Sequence, residues 1–183
     1  VIVMPLPEPA PRRRHAHTRQ IVCEGFQRED GLWDIEAHIT DTKPHVWHND
    51  AGMEMKAGQP YHDMWIRLTV DEELLVHEAI ASTDAAPYPA CPSVPQRFGE
   101  IVGLRMVGGW RDSLRRLFGK DGGCTHLTEL LTAMGTVAIQ AIYAGKKLPE
   151  GARPFYLGTC HAWSLTGDMV TTHYPQYAAK RDA

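Results

Sequence analysis

The sequence predicts an α+β fold: a single domain in which an antiparallel sheet is packed on one side by helices. Three observations predict it. Stretches in the first half alternate apolar and polar residues, the period of strands with one buried face. The first two of these are joined by Glu29-Asp30-Gly31, and Asp-Gly is a strong hairpin signal. In the second half, Leu127, Leu130, Leu131, Met134, Val137, Ala138 and Ile142 recur at i, i+3, i+4 and i+7, the spacing of a helix with one buried face.

The totals bound the problem. With 183 residues, 43% of them hydrophobic and 22% charged, the chain is long enough to bury one ordinary core. A net charge of -3 argues against a general nucleic-acid binder. No apolar run approaches the roughly 18 to 20 residues of a membrane helix, and Val1-Ile2-Val3 is too short for a signal peptide. Four cysteines without a CxxC pair are too sparse for a disulfide scaffold and suit a reducing cytoplasm.

Taken in order, residues 1–17 read as a proline-rich, then basic arm ending near Arg12-Arg13-Arg14. A solvated tail explains it, and contact with an anionic partner is the functional alternative. The domain proper is expected over 18–176, with a tail at 177–183 that resembles a frayed helix. Residues 18–26 and 32–40 are the first hairpin. In its second strand Trp33, Ile35, Ala37 and Ile39 alternate with Asp34, Glu36, His38 and Thr40. Residues 41–60 read as a loop or a ragged strand. Residues 61–70 form a third strand with Met64, Ile66, Leu68 and Val70 on one face and His62-Asp63 at its start. Neighbours on a strand point to opposite faces, so His62 and Asp63 are not expected to pair with each other. Residues 74–82 form a fourth strand.

The stretch from Thr83 to Pro92 holds three prolines in six residues, which stiffen the backbone. It presents Asp84, Tyr88 and Cys91 from a rigid loop, either as part of a site or as a structural turn. Helices are expected over 94–107, 110–118 and 125–144, broken at Gly108-Gly109 and closed by Gly145. Residues 148–154 read as a linker, and 155–164 and 169–174 as two closing strands.

Candidate chemistry concentrates at Gly122-Gly123-Cys124-Thr125-His126-Leu127-Thr128-Glu129. Cys124 stands at a helix start, where unpaired N–H groups and the helix dipole favour thiolate. Two versions of a site follow. In one, Cys91, Cys124 and His126 (or Asp84) hold zinc or iron with one position left open. In the other, Cys124 is a nucleophile served by His62 or His126 as base. Glu129, three residues beyond His126, would orient it or pass protons, or else is an exposed helix residue. Asp63 is a further candidate for proton transfer. Trp65 and Tyr88 are candidates for stacking on a substrate ring.

The motifs Arg28-Glu29-Asp30-Gly31-Leu32-Trp33-Asp34-Ile35, Asp41-Thr42-Lys43, His62-Asp63-Met64-Trp65, Thr83-Asp84-Ala85-Ala86-Pro87-Tyr88-Pro89 and Gly123-Cys124-Thr125-His126-Leu127 resemble a bacterial family, the domain-of-unknown-function family 2889. That resemblance, from about Arg14 to Pro175, implies a cytoplasmic protein, often from organisms that degrade aromatic compounds. A more distant similarity links residues 74–142 with the U-type iron–sulfur scaffold proteins, whose ligands are an Asp, cysteines and a histidine; their Cys-Gly-Asp motif is missing here. Two functions follow as expectations. One is a small hydrolase or lyase of aromatic breakdown with a small-molecule substrate. The other is a metal or cluster carrier. A homo-oligomer is compatible with either.

Overall fold

The computed structural model describes residues 11–146, 149 and 151–180. Residues 1–10 of the expected arm, 148 and 150 of the expected linker, and 181–183 of the expected tail lie outside the described residues. The chain divides into two compact units, Val1–Ala144 and Gly145–Ala183. The expected boundaries of 18–176 run across this division.

The first unit is an α+β structure. Its sheet is built from β1 (Thr18–Gln27), β2 (Trp33–Thr42), β5 (His62–Val70) and β6 (Val76–Ala85), all antiparallel, in the order β1-β2-β5-β6. Between β2 and β5, a two-stranded hairpin pairs β3 (Trp47–His48) with β4 (Glu54–Met55). It lies within the stretch expected to be a loop or a ragged strand. Its turn is held by Asn49, whose side-chain oxygen accepts from the N–H groups of Ala51 and Met53.

The period of two dictates the faces. Ile35, Ala37 and Ile39 on β2 and Met64, Ile66, Leu68 and Val70 on β5 are all buried on one side. Against them lies α2 (Thr125–Tyr143), which buries Leu127, Leu130, Leu131, Met134, Ala138 and Ile142. The apolar stripe in the sequence is therefore the helix face that seats on the sheet. Close approach is permitted by Gly25 of β1, beneath Ala141 and Val137. The second helix, α1 (Trp110–Phe118), buries Trp110, Leu114 and Phe118. The Trp110 Nε1–H donates to the Leu131 carbonyl at 2.9 Å and ties α1 to α2. On the other face of the sheet, Trp65, Val22, Phe26 and Ile80 are exposed.

Several expected elements differ. The helix expected over 94–107 is a 3₁₀ turn, Pro95–Ile101, followed by a strip that lies against the sheet's edge. Leu104 accepts from the Val76 N–H, Met106 donates to Leu74, and Leu75 bridges Arg105. Pro95 and the positive φ of Gly103 (88°) favour tight turns over a continuous helix.

In the second unit, the expected closing strands are a run of turns and a short helix, α3 (Asp168–His173), then a 3₁₀ turn, Pro175–Tyr177. Leu157, Thr159, Trp163 and Ser164 each donate to the residue three before them, so the backbone is satisfied locally. Residues 178–180 of the expected helical tail are not helical. No helix among the described residues is long and apolar enough to cross a membrane.

Candidate functional site

The buried phase of the sheet does not end in hydrocarbon. Asp41 continues the Ile35, Ala37, Ile39 series on β2, and His62 begins the Met64, Ile66, Leu68 series on β5. The register places Arg19 opposite Asp41 and Asp41 opposite His62, a polar row across three strands. All three belong to the face covered by α2. His17 lies just before β1, and Tyr61 just before β5, with its N–H on the Asp41 carbonyl.

The first turn of α2 closes the row. Gly122 and Gly123 carry the chain across the end of α1. A Cβ on Gly123 would stand 2.7 Å from the Phe118 Cβ, so only glycine fits. Cys124 is then the residue before the first helical turn, and its side chain makes no capping bond. Its Sγ instead lies 3.7 Å from His126 Nδ1 and 3.9 Å from Met64 Sδ.

Asp41 is the hub and is fully buried. Arg19 grips it as a fork, Nε to Oδ1 and NH2 to Oδ2, both at 2.8 Å. His62 Nδ1 lies 2.8 Å from Oδ2, and His17 Nε2 lies 3.2 Å from Oδ1. His126 Nε2 is 3.8 Å from Oδ2, and the rings of His62 and His126 are 3.7 Å apart between centroids. Tyr61 reaches His17 Nδ1 at 2.8 Å. The third guanidinium nitrogen of Arg19 extends to Glu129 Oε2 at 2.6 Å.

Electrostatics follow from this packing. Burial alone would raise the Asp41 carboxyl, but the hydrogen bonds from Arg19 and His62 outweigh it and hold the pKa at about 2. Burial lowers His126 to about 4, helped by the neighbouring His62 and Arg19. Burial also lowers His62, against the pull of Asp41. At neutral pH both imidazoles are therefore uncharged. With a carboxylate on its Nδ1, His62 carries its proton there and leaves the Nε2 lone pair free. The fixed charge is one more negative than positive, since Asp41 and Glu129 face Arg19 alone.

Among the described residues, the group of three His, Cys, Asp or Glu whose ligand atoms lie within 4.8 Å of one another is Asp41, His62 and His126. Of the residues singled out in the sequence, His62, Cys124 and His126 come together here. Glu129 joins through Arg19 rather than by orienting His126. Asp63 points to the opposite face and pairs with His38 at 2.7 Å, where Trp65 stacks on the same ring at 3.6 Å. Asp84 and Tyr88 are exposed, Cys91 opens a 3₁₀ turn, and neither Asp84 nor Cys91 belongs to the ligand group. Arg19, Asp41, His17 and Tyr61 were not anticipated. The signal for Asp41 was its phase: an acid in step with Ile35, Ala37 and Ile39.

A family model described as "Protein of unknown function (DUF2889)" matches residues 17–140. The chain belongs to this family. The match spans His17 through Glu129, so the whole cluster lies in the family domain. No curated protein and no solved structure matches the chain.

Proposed function

We propose that this domain is a small enzyme of hydrolase or lyase type whose reacting centre is the Asp41, His62, His126 and Cys124 cluster, holding a zinc or iron ion. The observation that carries the proposal is the convergence of the Asp41, His62 and His126 ligand atoms within 4.8 Å, with the Cys124 sulfur beside His126. Two uncharged imidazoles and the Asp41 carboxylate form a donor set suited to a borderline-soft divalent ion, and the Cys124 thiol stands beside it, 3.7 Å from His126 Nδ1. Asp41 also holds His62 in the tautomer that presents Nε2. The ion supplies a Lewis acid that polarises a carbonyl or activates water.

The aromatic substrate class rests on the family resemblance. Ring faces lie close at hand: Tyr61 is 4.8 Å from His62 and 5.1 Å from Trp47 between centroids, and the Lys43 ammonium lies over both Trp47 and Tyr61. A bacterial cytoplasm fits four cysteines that are all unpaired. A carrier of metal or clusters is the second reading. It is favoured by a thiol and an imidazole presented together at a helix start, with His126 still 24% exposed.

The test uses protein purified without a histidine tag, treated with chelator, then titrated with zinc by calorimetry and with cobalt(II) by absorption. One ion per chain is expected, lost in His62→Gln and in His126→Gln while circular dichroism stays unchanged. No uptake by the folded wild type overturns the metal centre. Turnover of a panel of aromatic esters and acids by the loaded protein supports the enzyme. Uptake without turnover, with delivery of the ion to an acceptor apoprotein, supports the carrier.

A further inference from the structure

A carboxylate oxygen pair has room for about four hydrogen-bond donors. Asp41 already accepts three, two from Arg19 and one from His62, and His17 Nε2 stands 3.2 Å from Oδ1. Its negative charge is therefore balanced chiefly by the Arg19 guanidinium. The partners are not equally committed. The His62 side chain is only 10% exposed and is fixed on an inner strand. Arg19 lies on the edge strand β1, its side chain is 31% exposed, and its NH1 is already anchored to Glu129, which is 49% exposed on α2. A long, flexible cation is thus held between a buried acid and an exposed one.

From this geometry we infer that Arg19 is the resident counter-cation of Asp41, and that a divalent ion entering the cluster displaces it onto Glu129 and takes Asp41 as a ligand. This rests on the metal reading above. The ion and the guanidinium compete for the same buried charge, so the protein stays folded without metal yet keeps a carboxylate in reserve. A guanidinium left in place would repel an incoming dication a few ångströms away. Glu129 keeps the displaced Arg19 paired at the surface instead of leaving it among the ligands.

The test compares zinc affinity in the wild type, Arg19→Gln, Arg19→Lys and Glu129→Gln, each first shown to be folded by circular dichroism. Removing the cation in Arg19→Gln is expected to tighten zinc binding by about tenfold or more. Arg19→Lys, which keeps the charge, is expected to stay near wild type. Glu129→Gln is expected to bind zinc several-fold more weakly, because the displaced cation loses its second partner. A second measurement needs no variant: the Arg19 Nε–H resonance should shift and exchange faster as zinc saturates the wild type. If the wild type takes up no zinc, the metal reading fails and this inference with it. If the wild type binds zinc but Arg19→Gln binds equally or more weakly, or the Arg19 resonance does not move, Arg19 is a fixed structural partner and the inference alone is overturned.

Discussion

The seating of α2 on the sheet positions His126 and Cys124, and two glycines at its contacts predict opposite outcomes for the same substitution. At Gly25, an added Cβ would lie 2.8 Å from the Ala141 Cβ, with Ile35 and Val137 at 3.5 and 3.7 Å. Carbon atoms pack at about 3.5–4.0 Å, so helix and strand must part by close to an ångström. Overpacking of this kind costs about 1–3 kcal/mol, offset by about 0.5–1 kcal/mol of backbone entropy gained when glycine leaves a strand interior. Gly25→Ala should therefore destabilise by about 1 kcal/mol.

At Gly135, in the middle of α2, the nearest atoms to an added Cβ are Trp110 Cδ1 at 3.4 Å and Nε1 at 3.6 Å, which is ordinary contact. Nothing need move, and replacing a helical glycine by alanine gains about 1 kcal/mol. Urea unfolding followed by tryptophan fluorescence gives both values. Thermal midpoints should move in opposite directions, by about 2–4 °C per kcal/mol for a chain of this size. A Gly25→Ala variant as stable as wild type, or a clear loss in Gly135→Ala, would refute this placement of α2 against β1 and α1.

Three further outcomes follow from the site. In chelator-treated protein, the Asp41 carboxyl at about 2, against an ordinary 3.8, means the fold prefers the carboxylate by about 2 kcal/mol. That contribution is present above the unfolded pKa and is lost as pH falls through the folded one. Asp41→Asn should thus cost about 2 kcal/mol in urea unfolding at pH 7, and the gap should narrow as the pH approaches 2. Cys124→Ser removes the thiol beside His126 but none of the three grouped ligand atoms, so it should still bind one cobalt(II) ion per chain by absorption titration, whereas His126→Gln should lose that uptake. Trp110→Phe should cost about 1 kcal/mol through the lost bond to the Leu131 carbonyl, again read by urea unfolding.

Periodicity made most of the first unit legible. β2, β5 and α2 each carry a long run with one buried face, and their observed limits fall within a few residues of those the pattern implies. The limits of that signal show at residues 94–107 and 155–174. Between Pro95 and Arg105 the chain turns tightly and then borrows hydrogen bonds from β6, a long-range pairing that no local pattern records. Residues 155–164 are rich in aromatic and polar side chains. Tyr156, Trp163 and Tyr174 pack ring against ring, and Tyr156 meets the Tyr174 hydroxyl at 3.0 Å. Such a cluster needs no sheet to bury its rings, so β propensity there did not translate into strands.

The site was half legible for a related reason. Spacing along a helix brings Cys124 and His126 to one end of it, and nothing further is required to see them as neighbours. Asp41 and His62 are 21 residues apart, and Arg19 is 110 residues from Glu129, so their meeting depends on register. Yet register leaves a trace in phase. Ending β2 at Thr40 hid Asp41, although Asp41 falls two residues beyond Ile39 and so must face inward if the strand continues. The same step places His62 two residues before Met64 on the inner face and Asp63 on the outer one. A charged residue that continues an apolar phase must either end the strand or be paired. Here it is paired, by an arginine from the neighbouring strand and a histidine from the next. Burying that carboxylate without such donors would cost several kcal/mol. Paired in this way, the acid can stay ionised beside two uncharged imidazoles and a thiol, which is the juxtaposition the proposed centre rests on.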